Sequence, residues 1–235
     1  PGCVELGDFD ATSTTIGLMP AGELGQIPEP QLHNTFDKYS EFFRERRAGS
    51  TFTNYPPYEA RIIGSFVLLG QKKRAEELLA FLLNDRRPPA WNHWAEVVWR
   101  EPSTPKYIGD MPHTWVGSDY IRSLLTMFVY DRERDSSHVL CAGIPDQWVR
   151  DSAGVKVGGL ATYHGTISYV LNSKGKRVIA DVSGSFEAAH HRLVITAPLT
   201  GTLSRVTVNG RRVPVRANRE FVLDVLPSTV EFTYR

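Results

Sequence analysis

The first half of the chain carries its apolar residues at helical spacing. In each of four segments they recur every three or four positions, with charged residues between them. This spacing is typical of amphipathic helices that bury one face. A shorter helix is expected after the hydroxyl-rich run that ends at Thr15, because such residues suit an N-cap. The predicted helices are 31–47, 58–69, 72–84 and 113–130, preceded by the short one through Ile16 and Met19.

After Asp135 the apolar residues alternate with polar ones instead. A period of two indicates strands with one buried face, and Asn209-Gly210 is a strong hairpin signal. Short strands at this spacing favour a sandwich. The sequence therefore predicts a multidomain α and β protein, with a helical-hairpin domain at 1–138 and an antiparallel β-sandwich at 139–235.

Composition and charge argue against some classes of function. No apolar run approaches the roughly 18–20 residues that span a bilayer, so no membrane association is expected. Residues 1–138 contain 15 basic and 19 acidic side chains, which argues against a nucleic-acid groove there. The basic excess of the second half is interpreted as a solvated surface. The chain opens Pro-Gly-Cys without a start methionine, as a mature, processed or truncated product would, and this N-terminus does not reveal the compartment. A periplasmic or secreted location is favoured.

The connections between the predicted helices differ in chemistry. If consecutive helices are antiparallel, the connections alternate between two ends, and one end collects carboxylates and aromatic rings. Rings stack on sugar faces, while acids protonate a leaving oxygen or activate water, so this end is the candidate site of sugar chemistry. Its candidate residues are Asp8, Asp10, Tyr55, Tyr58, Glu59, Trp91, His93, Trp94, Glu96, Asp110, His113 and Trp115.

Each candidate also has a plain structural interpretation. Glu96, the preferred general base, could pair with Arg100 at i+4. Asp8 and Asp10, the latter the second catalytic candidate, could serve only as charges at a helix N-terminus. The tryptophans could simply pack the long loop, as large aromatic side chains usually do. His93 and Glu96 stand three residues apart without a third ligand at fitting spacing, so neither a metal nor a cofactor is expected.

Two stretches of the long loop carry a resemblance to a known family. Pro89–Glu96 (PAWNHWAE) and Gly109–Asp119 (GDMPHTWVGSD), together with Asp8–Ser13 and the hairpin Val206–Gly210, resemble bacterial six-hairpin glycosidase-like proteins. These are (α/α)6-toroid enzymes of the glucoamylase and α-L-rhamnosidase kind. The resemblance implies a partial toroid, its N-terminal half missing or supplied by a partner chain. It also implies a general base at Trp94-Ala95-Glu96, where the relatives have an uninterrupted Trp-Glu pair.

These observations favour an inverting glycoside hydrolase that acts on an oligo- or polysaccharide through carboxylate acid/base catalysis. A polysaccharide lyase is the first alternative, with proton abstraction by a tyrosine or histidine. The residues that could serve it are Tyr55, Tyr58, His93 and His113. A carbohydrate-binding or scaffold protein without catalysis is the second alternative.

Overall fold

The computed structural model describes residues 10–50, 54–87, 89–101, 108–186 and 191–235. The chain divides into two compact units, Pro1–Met127 and Phe128–Arg235. The sequence pattern places the boundary between residues 138 and 139, so the structure assigns the segment between the two positions to the β-rich unit.

The described part of the first unit is mainly helical. Its helices are α1 (Ala11–Leu18), α2 (Glu29–Arg47), α3 (Ala60–Leu68), α4 (Lys72–Asn84) and α5 (Thr114–Phe128), which ends one residue into the second unit. Short 3-10 helices occupy Pro57–Glu59 and Pro89–Trp91. Two short strands, β1 (Asn54–Tyr55) and β2 (Val98–Trp99), pair antiparallel.

The helical periodicity buries the expected faces. On α2, Phe36, Tyr39 and Phe43 are buried at i, i+3 and i+7. Phe36 meets Phe66 of α3 edge-on, with ring centroids 6.0 Å apart. Burying a side chain of this size stabilises the fold by about 1.5–3 kcal/mol. The five predicted helices are therefore confirmed as elements, and α4 has the bounds that the sequence predicts.

The arrangement of the helices differs from the expected toroid. The described residues form six helices and three sheets, so the partial (α/α)6 toroid is wrong. Helices α1 and α3 have only eight and nine residues, and the ribbon β1–β2 joins the segments on either side of α3 and α4. Periodicity determines which face of a helix is buried but not its packing partner. The expectation of a missing N-terminal half, or of a partner chain that supplies it, depended on the toroid alone.

The described residues of the second unit form two sheets. The strands of the smaller sheet are β3 (Val129–Arg132), β4 (Ser137–Leu140), β8 (Arg192–Thr196) and β11 (Glu220–Leu223), in the order β11-β8-β4-β3. Those of the larger sheet are β5 (Val155–Thr162), β6 (Gly165–Lys174), β7 (Arg177–Gly184), β9 (Leu203–Val208), β10 (Arg211–Val213) and β12 (Ser228–Tyr234), in the order β10-β9-β12-β7-β6-β5. A short helix, α6 (Asp146–Arg150), follows β4.

Both sheets contribute to one hydrophobic core, which includes Ile195 and Phe221 of the smaller sheet and Val178 and Phe232 of the larger one. Strands β4 and β8 pair parallel, so the expectation of a wholly antiparallel sandwich is also wrong. The chain passes through β5, β6 and β7 of the larger sheet before β8 returns beside β4, and this crossover makes the pair parallel.

Candidate functional site

Five of the predicted site residues lie together in the first unit. We call Tyr58, Glu96, Asp110, His113 and Trp115 the Glu96 cluster. The Tyr58 hydroxyl is 2.7 Å from Nε2 of His113 and 3.5 Å from Oε1 of Glu96. On the other side of the imidazole, Nδ1 of His113 is 3.7 Å from Oδ2 of Asp110. The phenol and the imidazole are thus within direct proton-transfer reach of each other, and the Glu96 carboxylate lies at the outer limit of a hydrogen bond to the phenol.

Backbone pairing holds the cluster in place. The Glu96 amide donates to the carbonyl of Asp110 at 3.2 Å, and the Val97 amide donates to that of Ile108 at 3.0 Å. The His113 amide donates to the Trp94 carbonyl at 3.1 Å. Gly109 has a φ of +67°, and a Cβ built on it would lie 2.0 Å from Oε2 of Glu96. The Glu96 side chain therefore packs against a position that only glycine suits.

Trp115 gives the cluster an exposed aromatic surface. It is 58% exposed, and its ring meets that of Tyr58 edge-on at 5.3 Å. Behind these rings, the Arg61 guanidinium lies 5.4 Å from the Tyr58 ring centre and 5.9 Å from that of Trp115. Arg61 is held by buried Asp119, with nitrogen–oxygen distances of 2.5 and 3.0 Å. The buried Arg61–Asp119 ion pair thus holds a cation close to both rings.

The electrostatics of the cluster keep Tyr58 protonated. Desolvation raises its pKa above the usual tyrosine value, and the Glu96 carboxylate raises it further, while the Arg61 cation works in the opposite direction. At neutral pH the phenol is therefore a hydrogen-bond donor rather than a base.

A second polar site in the first unit surrounds Glu59. This buried carboxylate accepts hydrogen bonds from the Tyr39 hydroxyl and from both terminal nitrogens of Arg46, at 3.0 and 2.6 Å. Burial and the Glu59 carboxylate raise the pKa of Tyr39 well above its usual value. Beside the network lies a cavity of about 360 Å³, which we call the Glu59 cavity. Its lining includes Asp10, Tyr39, Glu45, Arg46, Asn54, Tyr55 and Glu59.

Arg46 connects this network to aromatic rings. Its guanidinium lies 4.3 Å from the Tyr55 ring centre and 5.2 Å from that of Phe81. The Tyr55 hydroxyl donates to Asp85 at 2.5 Å. Asp10 stands at the rim as the N-cap of α1, where Oδ1 accepts from the Ser13 amide at 2.8 Å. The structure thus places Tyr55, Glu59 and Asp10 around the cavity, and Glu96 in the other cluster.

The side chains of Trp91, His93 and Trp94 belong to neither group. Trp94 is buried, and its indole N–H donates to the Leu82 carbonyl at 2.8 Å, so this ring packs the loop. Nδ1 of His93 accepts from the Trp94 amide at 2.9 Å. Trp91 is 58% exposed in its 3-10 turn. Asp8 lies outside the described residues. Within the described ranges, no group of three histidine, cysteine or acidic residues is arranged to hold a metal.

Two charged residues that support the sites, Asp119 and Arg46, were not predicted from the sequence. Asp119 lies on the buried face of α5 with Val116 and Ser123, and Arg46 lies on that of α2 with Tyr39 and Phe43. The signal was present, because a charged residue at an apolar position of a helical pattern needs a partner of opposite charge.

Comparison with known proteins does not assign the chain to a family. No protein-family model, no curated protein and no solved structure matches it. The resemblance to six-hairpin glycosidases is therefore wrong, because the described residues do not form a toroid and no family model matches the chain. Among the described helices none is long and apolar enough to cross a membrane. The function is therefore inferred from the geometry of the sites themselves.

Proposed function

We propose that this protein hydrolyses a glycosidic bond and that the Glu96 cluster carries the reaction. The observation that supports the proposal is the convergence of Glu96, Tyr58 and His113 beside the exposed ring of Trp115. Exposed tryptophan offers the apolar face on which a sugar ring stacks, and the three polar groups offer hydrogen bonds to its hydroxyls.

In the proposed reaction Glu96 is the general base. Its carboxylate takes a proton from water, the oxygen attacks the anomeric carbon, and the bond to the leaving oxygen breaks. Tyr58 donates a hydrogen bond toward Glu96 and so orients the carboxylate. Asp10 is kept as the proposed general acid, which would give its proton to the leaving oxygen. Because Asp10 lines the Glu59 cavity rather than the Glu96 cluster, this role requires a substrate that reaches both sites.

A polysaccharide lyase is the second candidate, and the 2.7 Å contact of Tyr58 with His113 favours it. In that reaction a tyrosine or histidine removes a proton beside a uronate carboxyl group, which a cation neutralises. Two observations weigh against it. The raised pKa of Tyr58 disfavours the phenolate, and Arg61 is already paired with Asp119.

Product analysis over a panel of neutral and acidic polysaccharides tests the proposal. Hydrolysis creates reducing ends without ultraviolet absorbance, whereas a lyase creates unsaturated uronic acids that absorb. We expect reducing ends alone from at least one polymer. Absorbing products would favour the lyase. Binding in calorimetry without turnover of any bound sugar would favour the non-catalytic alternative and contradict the proposal.

A further inference from the structure

The larger sheet of the second unit has one buried face and one exposed face. Along β7, Val178, Ala180 and Val182 point into the core, while the residues between them point outward. The outward positions of this sheet carry five exposed cations, which we call the basic face: Lys156, Lys174, Arg177, Arg205 and Arg212.

Strand register brings three of these cations into one row. Arg205 of β9 is opposite Thr233 of β12, Thr233 is opposite Arg177 of β7, and Arg177 is opposite Lys174 of β6. Neighbouring strands are about 4.8 Å apart, so the row extends over about 14 Å. Lys174 and Arg177 are close in the sequence, on either side of the hairpin turn between β6 and β7, and the sheet adds the distant Arg205 to them.

Little negative charge opposes the basic face. Its outward positions contain two carboxylates, Glu231 and Asp181. Glu231 lies 3.6 Å from Arg177, with both side chains partly exposed, and Asp181 accepts from the Thr229 hydroxyl at 2.7 Å. The side chains of Arg205 and Lys174 make no hydrogen bond or ion pair to any described residue. Like charges gathered on one surface attract a polyanion and raise its local concentration.

We infer that the basic face binds a polysaccharide that carries carboxylate groups. Arginine forks match carboxylates in a bidentate manner. Between the cations lie Thr233 and Asn172, which suit sugar hydroxyls. The outward positions of the described strands carry no aromatic ring, so the ligand is held there by charge and hydrogen bonds rather than by stacking. The choice of a sugar polymer rests on the function proposed above.

Titration of the intact protein with a polyuronate fragment tests the inference. The test variant combines Lys174→Gln, Arg177→Gln and Arg205→Gln. The matched control combines Arg134→Gln, Arg150→Gln and Arg192→Gln, which removes the same charge from exposed positions of this unit outside the larger sheet. We expect the test variant to lose at least about tenfold in affinity and the control less than about threefold. Wild-type affinity should fall as salt increases.

Several results would overturn the inference. These are no binding of the polyuronate by the wild-type protein, equal losses in the two variants, or tighter binding of a sulfated polysaccharide or of single-stranded DNA through the same three residues. Binding is measured by this titration and hydrolysis by product analysis, so failure of hydrolysis is distinguishable from failure of the basic face.

Discussion

Glu59 and Asp119 are buried carboxylates, and each is matched by a buried arginine, Arg46 and Arg61. A buried charge that loses its partner is costly. Glu59→Gln leaves Arg46 uncompensated, so we expect the free energy of unfolding of the first unit to fall by about 3–5 kcal/mol. Urea unfolding followed by tryptophan fluorescence measures this, because four of the five tryptophans lie in that unit.

Glu45→Gln is the control for this experiment, since Glu45 also lines the Glu59 cavity but is exposed. A surface substitution of this kind usually changes stability by less than about 0.5 kcal/mol. If the two variants lost the same stability, the buried ion pair would not have the role assigned to it.

The two roles of Asp10, as the cap of α1 and as the proposed general acid, can be tested separately. Asparagine caps a helix about as well as aspartate, so Asp10→Asn should preserve the cap of α1 and change stability by less than about 0.5 kcal/mol. If Asp10 is the general acid, the variant should lose activity on ordinary glycosides but much less on glycosides whose leaving group needs no proton. Equal activity of variant and wild type on both kinds of substrate would remove Asp10 from the mechanism.

His138 makes the second unit sensitive to acid. Its ring is buried, and neither nitrogen makes a hydrogen bond to the described residues, although Oδ1 of Asp131 lies 3.1 Å from Nε2. The rings of His164 and His191 lie 5.1 and 5.8 Å away. Burial lowers the pKa of His138, and these two imidazoles lower it further, against the opposite effect of Asp131.

A histidine with a lowered pKa in the folded state binds its proton more readily when unfolded. Its stabilising effect is therefore complete above the unfolded pKa of about 6.5 and is lost as the pH falls toward the folded value. We expect the melting temperature of the second unit to fall with acidification below about pH 6.5, and to fall less in His138→Gln. Parallel curves for variant and wild type would contradict this assignment.

At the scale of elements, the loop that carries Glu96 depends on Gly109. Gly109→Ala would force Glu96 aside, because the added Cβ would meet both its Oε2 and its Cβ, and the left-handed φ adds about 1–2 kcal/mol of strain. We expect a large loss of turnover. Gly70→Ala is the matched control, since φ is +70° there but nothing lies within 4 Å. Similar losses in the two variants would mean that strain alone explains the effect.

The elements themselves were largely predictable from the sequence. The leucine spacing of 72–84 and the Asn209-Gly210 hairpin, with φ of +50° and +77°, depend on neighbours along the chain. The packing of those elements was not predictable, because the partners of a buried face lie far away in sequence. For the same reason, the sequence predicted Asp10 and Glu96 at one end of the helices, whereas the structure places them in two groups.

At the scale of the whole molecule, charge and chemistry are divided between the two units. The mildly acidic first unit contains the Glu96 cluster and the Glu59 cavity, and the second unit contains the basic face. Each unit has its own hydrophobic core.

Turnover by Glu96→Gln, compared with the wild type on a hydrolysed sugar, tests the central claim most directly. Glu101→Gln, at an exposed position of the same loop, is the control. Loss of a general base should lower kcat by about 10²–10⁴-fold while fluorescence and circular dichroism stay unchanged. A kcat within about threefold of the wild type, in a folded Glu96→Gln variant, would contradict the assignment of the reaction to the Glu96 cluster.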